Sequence, residues 1–222
     1  MLSYATKIQK LDGLSLGGNV KIIRRKVGDF GSSWGFGLDL SALYTKNTWS
    51  AAIMMRDIST TYNAWSYQLD DKMKEVFTRT GNTIPKNSVE ITLPRIVLGF
   101  GKSFSMGESF GLYTEIDFDI TTDGKRNVLI KSNTLSIDPH LGLEFDYKKI
   151  VFLRAGVGNI QKETMPDNIK RTTFQPNIGL GIKLMKVLSL DYAFTDIGNQ
   201  SIALYSNVFS LKFSFNAKHS DD

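Results

Sequence analysis

Ser109-Phe110-Gly111-Leu112-Tyr113-Thr114-Glu115-Ile116-Asp117-Phe118-Asp119-Ile120 sorts its residues by parity. Phe110, Leu112, Thr114, Ile116, Phe118 and Ile120 stand at even positions, while Ser109, Gly111, Tyr113, Glu115, Asp117 and Asp119 stand at odd ones. Successive strand side chains point to opposite faces, so this segment predicts a strand with one oily and one charged side. Residues 134–147 repeat the pattern, setting Leu135, Ile137, Leu141, Leu143, Phe145 and Tyr147 against Ser136, Asp138, His140, Glu144 and Asp146. Residues 174–184 do so again, with Phe174, Ile178, Leu180, Ile182 and Leu184 against Gln175, Asn177 and Lys183. Further strands are expected near 2–9, 14–25, 33–45, 48–57, 93–104, 150–158, 188–196 and 203–216. That makes roughly eleven, most of them near the ~9–11 residues that a tilted strand needs to cross a bilayer. The reading is an all-β, antiparallel transmembrane barrel over 1–216, with a polar tail at 217–222.

The connections alternate in length. Lys10–Gly13, Lys46-Asn47, Ser105–Glu108, Lys148-Lys149 and Met185–Val187 are short; Lys26–Ser32, Ile58–Thr92, Thr121–Asn133, Asn159–Thr173 and Ile197–Ile202 are longer. Short turns on one rim and long loops on the other are what a membrane barrel requires, the short side being periplasmic. Within the longest loop, Leu69, Met73, Val76 and Phe77 fall at helical spacing. Asp70 and Asp71 favour the helix start, Thr80-Gly81-Asn82 ends it, and Pro85 blocks continuation. This helix is read as a packed lid or as a docking surface, with Trp65, Leu69, Met73 and Phe77 as the contact side chains.

An apolar strand face can meet lipid or a dry core. Three features favour lipid. Ionisable groups accompany regular apolar faces in nearly every strand, among them Asp39, Arg56, Asp117, Asp138, Glu144 and Arg154, the candidate lumen-facing charges. Aromatic residues gather beside the short turns, at Tyr44, Trp49, Phe104, Phe110 and Tyr147, as in a periplasmic girdle. The chain closes on Phe209, Leu211, Phe213 and Phe215, all on one face. Mixed charges at close quarters inside a barrel can pair, either bracing it or lining a path for a solute.

Composition narrows the chemistry. The 222 residues hold no cysteine, so disulfides and thiolate metal sites are excluded. The net charge is +5 and the pI about 9.2, yet Lys and Arg are dispersed without a basic stripe, and nucleic acid is not expected as a partner. No run of about 18 apolar residues predicts a helical span. There are two histidines; His219 lies in the tail, while His140 shares a strand face with Asp138 and Glu144, a weak metal pattern. No GxSxG nucleophile motif is present, and Gly99-Phe100-Gly101-Lys102-Ser103 falls within a strand without full phosphate-loop spacing. Neither catalysis nor a cofactor is expected. Met1–Lys7 carries no basic start followed by an apolar stretch, so a signal is expected upstream, either removed or part of a longer gene product.

Three phrases carry a family resemblance. They are Gly18-Asn19-Val20-Lys21-Ile22-Ile23-Arg24-Arg25-Lys26-Val27-Gly28-Asp29-Phe30 followed by Trp34-Gly35-Phe36-Gly37-Leu38-Asp39; Met55-Arg56-Asp57-Ile58-Ser59-Thr60-Thr61-Tyr62-Asn63-Ala64-Trp65-Ser66; and Ser88-Val89-Glu90-Ile91-Thr92-Leu93-Pro94-Arg95. Together they resemble the PorV/PorQ family, over almost the whole chain. The resemblance implies a FadL-like barrel of fourteen strands with an N-terminal plug, in the outer membrane of a Gram-negative bacterium. Of these strands the plug and the first three would precede this chain, and an incomplete barrel would leave two open edges. It further implies a part in type IX secretion, where PorV accepts cargo C-terminal domains at the translocon and passes them to the attachment machinery. Outer-membrane lipid and a cargo or translocon protein are then the expected partners. Two other functions stay open: a FadL-like transporter of hydrophobic small molecules, with a lipophilic ligand, and a soluble ligand-binding β-barrel.

Overall fold

The computed structural model describes residues 1–124, 126–164, 169–184, 187–197 and 205–214. Among these, the chain forms fourteen strands and one short helix. Its contacts fall into two compact units: Met1–Tyr44, Ile53–Val97 and Thr121–Asp123 in the first, and Thr45–Ala52, Leu98–Ile120 and Gly124–Asp222 in the second.

In the first unit, β1 (Leu2–Lys7) pairs antiparallel with β2 (Leu14–Val27), and β2 with β3 (Gly31–Lys46). The β2–β3 register is unbroken from Leu14 opposite Tyr44 to Val27 opposite Gly31. On its other edge β3 pairs with β4 (Trp49–Arg56) and, through Gly31–Phe36, with β5 (Thr61–Tyr67). The step from β4 to β5 is a tight excursion in which Asp57 and Thr60 take positive φ, 53° and 58°. The Thr60 amide donates to the Asp57 carbonyl at 2.8 Å. Helix α1 (Asp71–Arg79) follows, then β6 (Ser88–Thr92), which returns along β5. Asp70 caps α1 by accepting the Met73 amide at 2.7 Å. At its other end Gly81 turns left-handed (φ 71°), and the Asn82 amide reaches back to the Phe77 carbonyl. Phe77 packs edge-on against Phe30, ring centroids 6.1 Å apart.

The second unit is an antiparallel meander. It contains most of β7 (Arg95–Met106) and β8 (Phe110–Thr121), then β9 (Ile130–Lys131), a two-residue strand against the start of β10 (Ser136–Tyr147). There follow β11 (Val151–Thr164), β12 (Lys170–Leu184), β13 (Leu188–Thr195) and β14 (Ser206–Phe213), each paired with its predecessor. The β10–β11 turn has only Lys148 and Lys149 at its centre, with φ of 51° and 54°. Two consecutive positive φ values match the right-handed twist of the flanking strands.

Burial runs opposite to that of a water-soluble domain. Among the described residues, Val128 is the sole buried large hydrophobic. Ser33, Asp39, Thr61, Asn63, Asp119, Thr121 and Ser136 are buried instead. Along β10 exposed and half-buried positions alternate: Leu141, Leu143, Phe145 and Tyr147 are exposed, Gly142, Glu144 and Asp146 half-buried. Leu180 on β12 is 53% exposed and Leu190 on β13 is 49% exposed. The same holds in the first unit for Ile22, Trp34, Phe36 and Tyr62. The expected girdle residues Tyr44, Trp49, Phe104, Phe110 and Tyr147 are all exposed, and Phe110 packs against Phe145 and Tyr147.

The predicted strands are present as β1–β4, β7, β8 and β10–β14. Two predicted loops are corrected. The segment Ile58–Thr92 contains β5 and β6 as well as the helix; in Thr61–Tyr67 an aromatic residue sits on each face, so parity does not separate oily from polar. Of Asn159–Thr173, much is strand, because β11 runs on to Thr164 and β12 starts at Lys170, with a register irregularity between Gly158 and Gln161. Past Val157, Ile160 is the one large apolar residue before Thr164, too little alternation to mark a strand in the sequence. Phe215, His219 and the 217–222 tail lie outside the described residues.

A lysine pair in left-handed conformation costs about 1–2 kcal/mol per residue relative to residues suited to it. Lys148→Asn with Lys149→Gly is expected to raise the urea midpoint, corresponding to a gain in unfolding free energy of about 1 kcal/mol once the loss of the Lys148–Tyr147 ring contact is counted. An unchanged or lowered midpoint would contradict the turn assignment.

Candidate functional site

Among the described residues, each unit has on its polar face an ion-paired cluster built on the same plan: a cation held between two carboxylates.

In the first unit the β2–β3 register sets Asn19 opposite Asp39 and Lys21 opposite Gly37. Lys21 Nζ lies 2.7 Å from Asp39 Oδ1 and is also ion-paired with Asp57. The Asp57 amide donates to Asp39 Oδ1 at 2.9 Å, Thr61 Oγ1 to Asp57 Oδ1 at 2.5 Å, and Asn19 Nδ2 to Asp39 Oδ2 at 3.3 Å. Asp57 reaches the cluster only through its positive φ, which turns its side chain back toward β3. Gly37 leaves the space that Thr61 Oγ1 and the Lys21 stem occupy. Along the same face Asn63 is fully buried over Gly35, and neither its amide atoms nor Ser33 Oγ finds a hydrogen-bond partner among the described residues.

In the second unit Arg154 on β11 donates from Nε to Glu144 Oε2 at 2.6 Å and from Nη1 to Asp191 Oδ1 at 2.5 Å. Glu144 is its direct partner on β10, whereas Asp191 lies two strands away on β13. The guanidinium crosses β12 at Gly181, whose missing side chain is the opening: a Cβ there would meet both Arg154 Nη1 and Asp191 Oδ1. Phe152 supports the guanidinium from the same face, 5.2 Å from ring centroid to Cζ. Beside the cluster is a cavity of 380 Å³ lined by Tyr113, Glu144, Asp146, Lys149, Phe152 and Lys183, among others.

The predicted candidates are therefore only partly assembled. Asp39 belongs to the first cluster; Glu144 and Arg154 form the second. Arg56 is exposed and belongs to neither cluster, and it forms no ion pair among the described residues. Asp117 shares its face with Glu115 and lies over Gly99, and it is a member of neither cluster. Asp138 approaches His140 Nε2 at 3.5 Å, and no group of three metal-ligating side chains exists among the described residues. Sequence reasoning overlooked Lys21 and Asp57. Lys21 was legible from parity, two positions from Asn19 on β2; Asp57 was not, because its placement needs the left-handed turn.

The loop contact residues are held near the end of β2. The Trp65 indole donates to Glu90 Oε2 at 3.0 Å and stacks on Tyr67, while Arg25 also binds Glu90. The Trp65 and Arg25 donors hold the Glu90 carboxyl below its ordinary range. Leu69, Met73 and Phe77 are half-buried along α1, and Val76 is exposed.

The chain matches no protein-family model, no curated protein and no solved structure.

Two outcomes are expected. Arg154→Ala leaves Glu144 and Asp191 facing each other without their cation, and Gly181→Val occupies the crossing point. Each is expected to lower the unfolding free energy by about 1–2 kcal/mol, the full cost of a severed buried pair being reduced by partial exposure. In a double-mutant cycle the two losses should not add; full additivity would show that Gly181 serves the backbone alone. A carboxyl with a depressed folded pKa stabilises above its unfolded pKa and loses that contribution as pH falls through the folded value. Trp65 fluorescence, read in a Trp34→Phe, Trp49→Phe background, should thus change only below the ordinary glutamate range, and Glu90→Gln should remove the transition.

Proposed function

We propose that the chain is part of the wall of an outer-membrane β-barrel in a Gram-negative bacterium, serving as a PorV/PorQ-like component of type IX protein secretion. One observation carries the bilayer reading: apolar strand faces exposed, polar faces covered, in both units. Such faces need an apolar medium, and in lipid only closed hydrogen-bonded strands or helices satisfy the backbone. No helix of the described residues is long and apolar enough to cross a membrane, which leaves the strands to do so. The polar faces then turn toward the barrel interior, where the Lys21 and Arg154 clusters brace neighbouring strands.

The secretion role rests on the three resembling phrases, which supply the structured parts of the first unit. Lys21, Asp39 and Asp57 fall within them, as do Trp65 and Glu90. The ribbon of β5 and β6 with α1 is the surface for cargo or translocon, with Trp65, Leu69, Met73 and Phe77 as its larger side chains. Ion-paired interior faces favour this role over a conduit for hydrophobic molecules.

The full-length protein is expected in carbonate-washed outer membranes and to show heat-modifiable gel mobility. Trp65→Ala with Phe77→Ala should keep both properties while reducing co-purification of cargo C-terminal domains by at least about tenfold, as truncation of interface aromatics does. A protein soluble without detergent would end the bilayer reading; membrane insertion with unaltered cargo recovery would end the secretion reading alone.

A further inference from the structure

On the apolar side of the second unit, the alternating run of apolar positions from β7 to β13 and β14 is interrupted by a charge at one place among the described residues; Lys46 and Lys162 stand at its margins, near the ends of β3 and β11. Gly101 lies beneath Tyr113 Oη and Ser50 Oγ, which fixes the odd positions of β7 on the polar face and the even ones on the apolar face. The apolar set then runs through Phe100 and Phe104 on β7, Ile116 and Phe118 on β8, and Leu141 to Tyr147 on β10. By register it continues through Leu153, Leu180, Leu190 and Leu211. Lys102 alone among these positions carries a charge.

Its surroundings are specific. The ammonium lies 4.4 Å from the Trp49 ring centroid and 5.0 Å from that of Phe104. Ring faces offset part of the cost of placing a cation there without neutralising it. Among the described residues of that apolar set, none is a carboxylate that could supply the counter-charge. The level is that of the short-turn rim, because the Ser103 amide donates to Thr48, next to the Asn47 turn. Below the cation Thr114 is a small residue among large ones, and a 490 Å³ hollow opens there, bounded by Trp49, Phe100, Ile116, Leu141 and Leu143. A cation at the headgroup level above an apolar trough has the complementarity of one anionic amphiphile.

We propose that this groove binds an anionic phospholipid of the leaflet on the short-turn side. The phosphate pairs with Lys102, and one acyl chain lies over Phe100, Ile116 and Leu141. Ordinary snorkelling would need the lysine but neither the hollow nor the paired rings. The assignment rests on the bilayer reading above, since only a membrane brings such a ligand to this face.

The test is native mass spectrometry of the full-length protein released from nanodiscs of phosphatidylglycerol or of phosphatidylcholine. Wild type should keep one phosphatidylglycerol in preference to phosphatidylcholine, and Lys102→Arg should keep it too. Lys102→Gln and Lys102→Met should lose the preference, by about fivefold for one cation at the interface. Lys183→Gln, on the opposite face, should not. Equal retention in the Lys102 variants, or wild type that inserts without preferring the anionic lipid, overturns the groove alone. Refusal to enter nanodiscs overturns the bilayer reading with it.

Discussion

Disposal of the apolar strand faces is the constraint on which the other features depend. A fully exposed leucine or phenylalanine side chain forfeits about 1.5–3 kcal/mol relative to burial, and a half-exposed one about half of that. Leu141, Leu143, Leu153, Leu180, Leu190 and Leu211 stand about half exposed in the second unit alone. Left in water, such faces would consume the ~5–15 kcal/mol by which a typical domain is stable. Placed against hydrocarbon, they incur no such loss, and the same residues become the anchor.

That solution transfers the packing problem to the polar side. Charged and amide side chains must share a covered face, and the sheet accommodates several of them by laying them over glycines of neighbouring strands. Asn63 over Gly35, Thr61 over Gly37, Asp146 over Gly111 and Arg154 over Gly181 are instances. Carboxylates are then bridged by single cations across strands, Lys21 in one unit and Arg154 in the other. Cross-strand bridges of this kind tie β2 to β3 and to the Asp57 turn, and β10 to β13, adding side-chain register to the backbone ladder.

Beyond the apolar belt different rules apply. Strand β5, with aromatic residues on both faces, and the far part of the β11–β12 hairpin do not separate oily from polar side chains cleanly, and they are held by backbone bonds and by contacts such as Trp65 to Glu90. Freed from the demand for an oily face, these segments can carry mixed aromatic and charged side chains. In the proposed setting, they are the parts available to partners.

Much of this was legible in the residues themselves. Parity in 109–120, 134–147 and 174–184 determined the strands, their two faces and the short turns, because a period of two leaves no other reading of such segments. The helix also followed from local chemistry: Asp70 as cap, Gly81 as stop. Tertiary structure alone decided which charges meet. Arg154 reaches Asp191 because Gly181 lies between them, and Asp57 joins Asp39 through a left-handed turn. Parity fixes the face on which a side chain stands, but a partner two strands away depends on register, and register is a property of the assembled sheet.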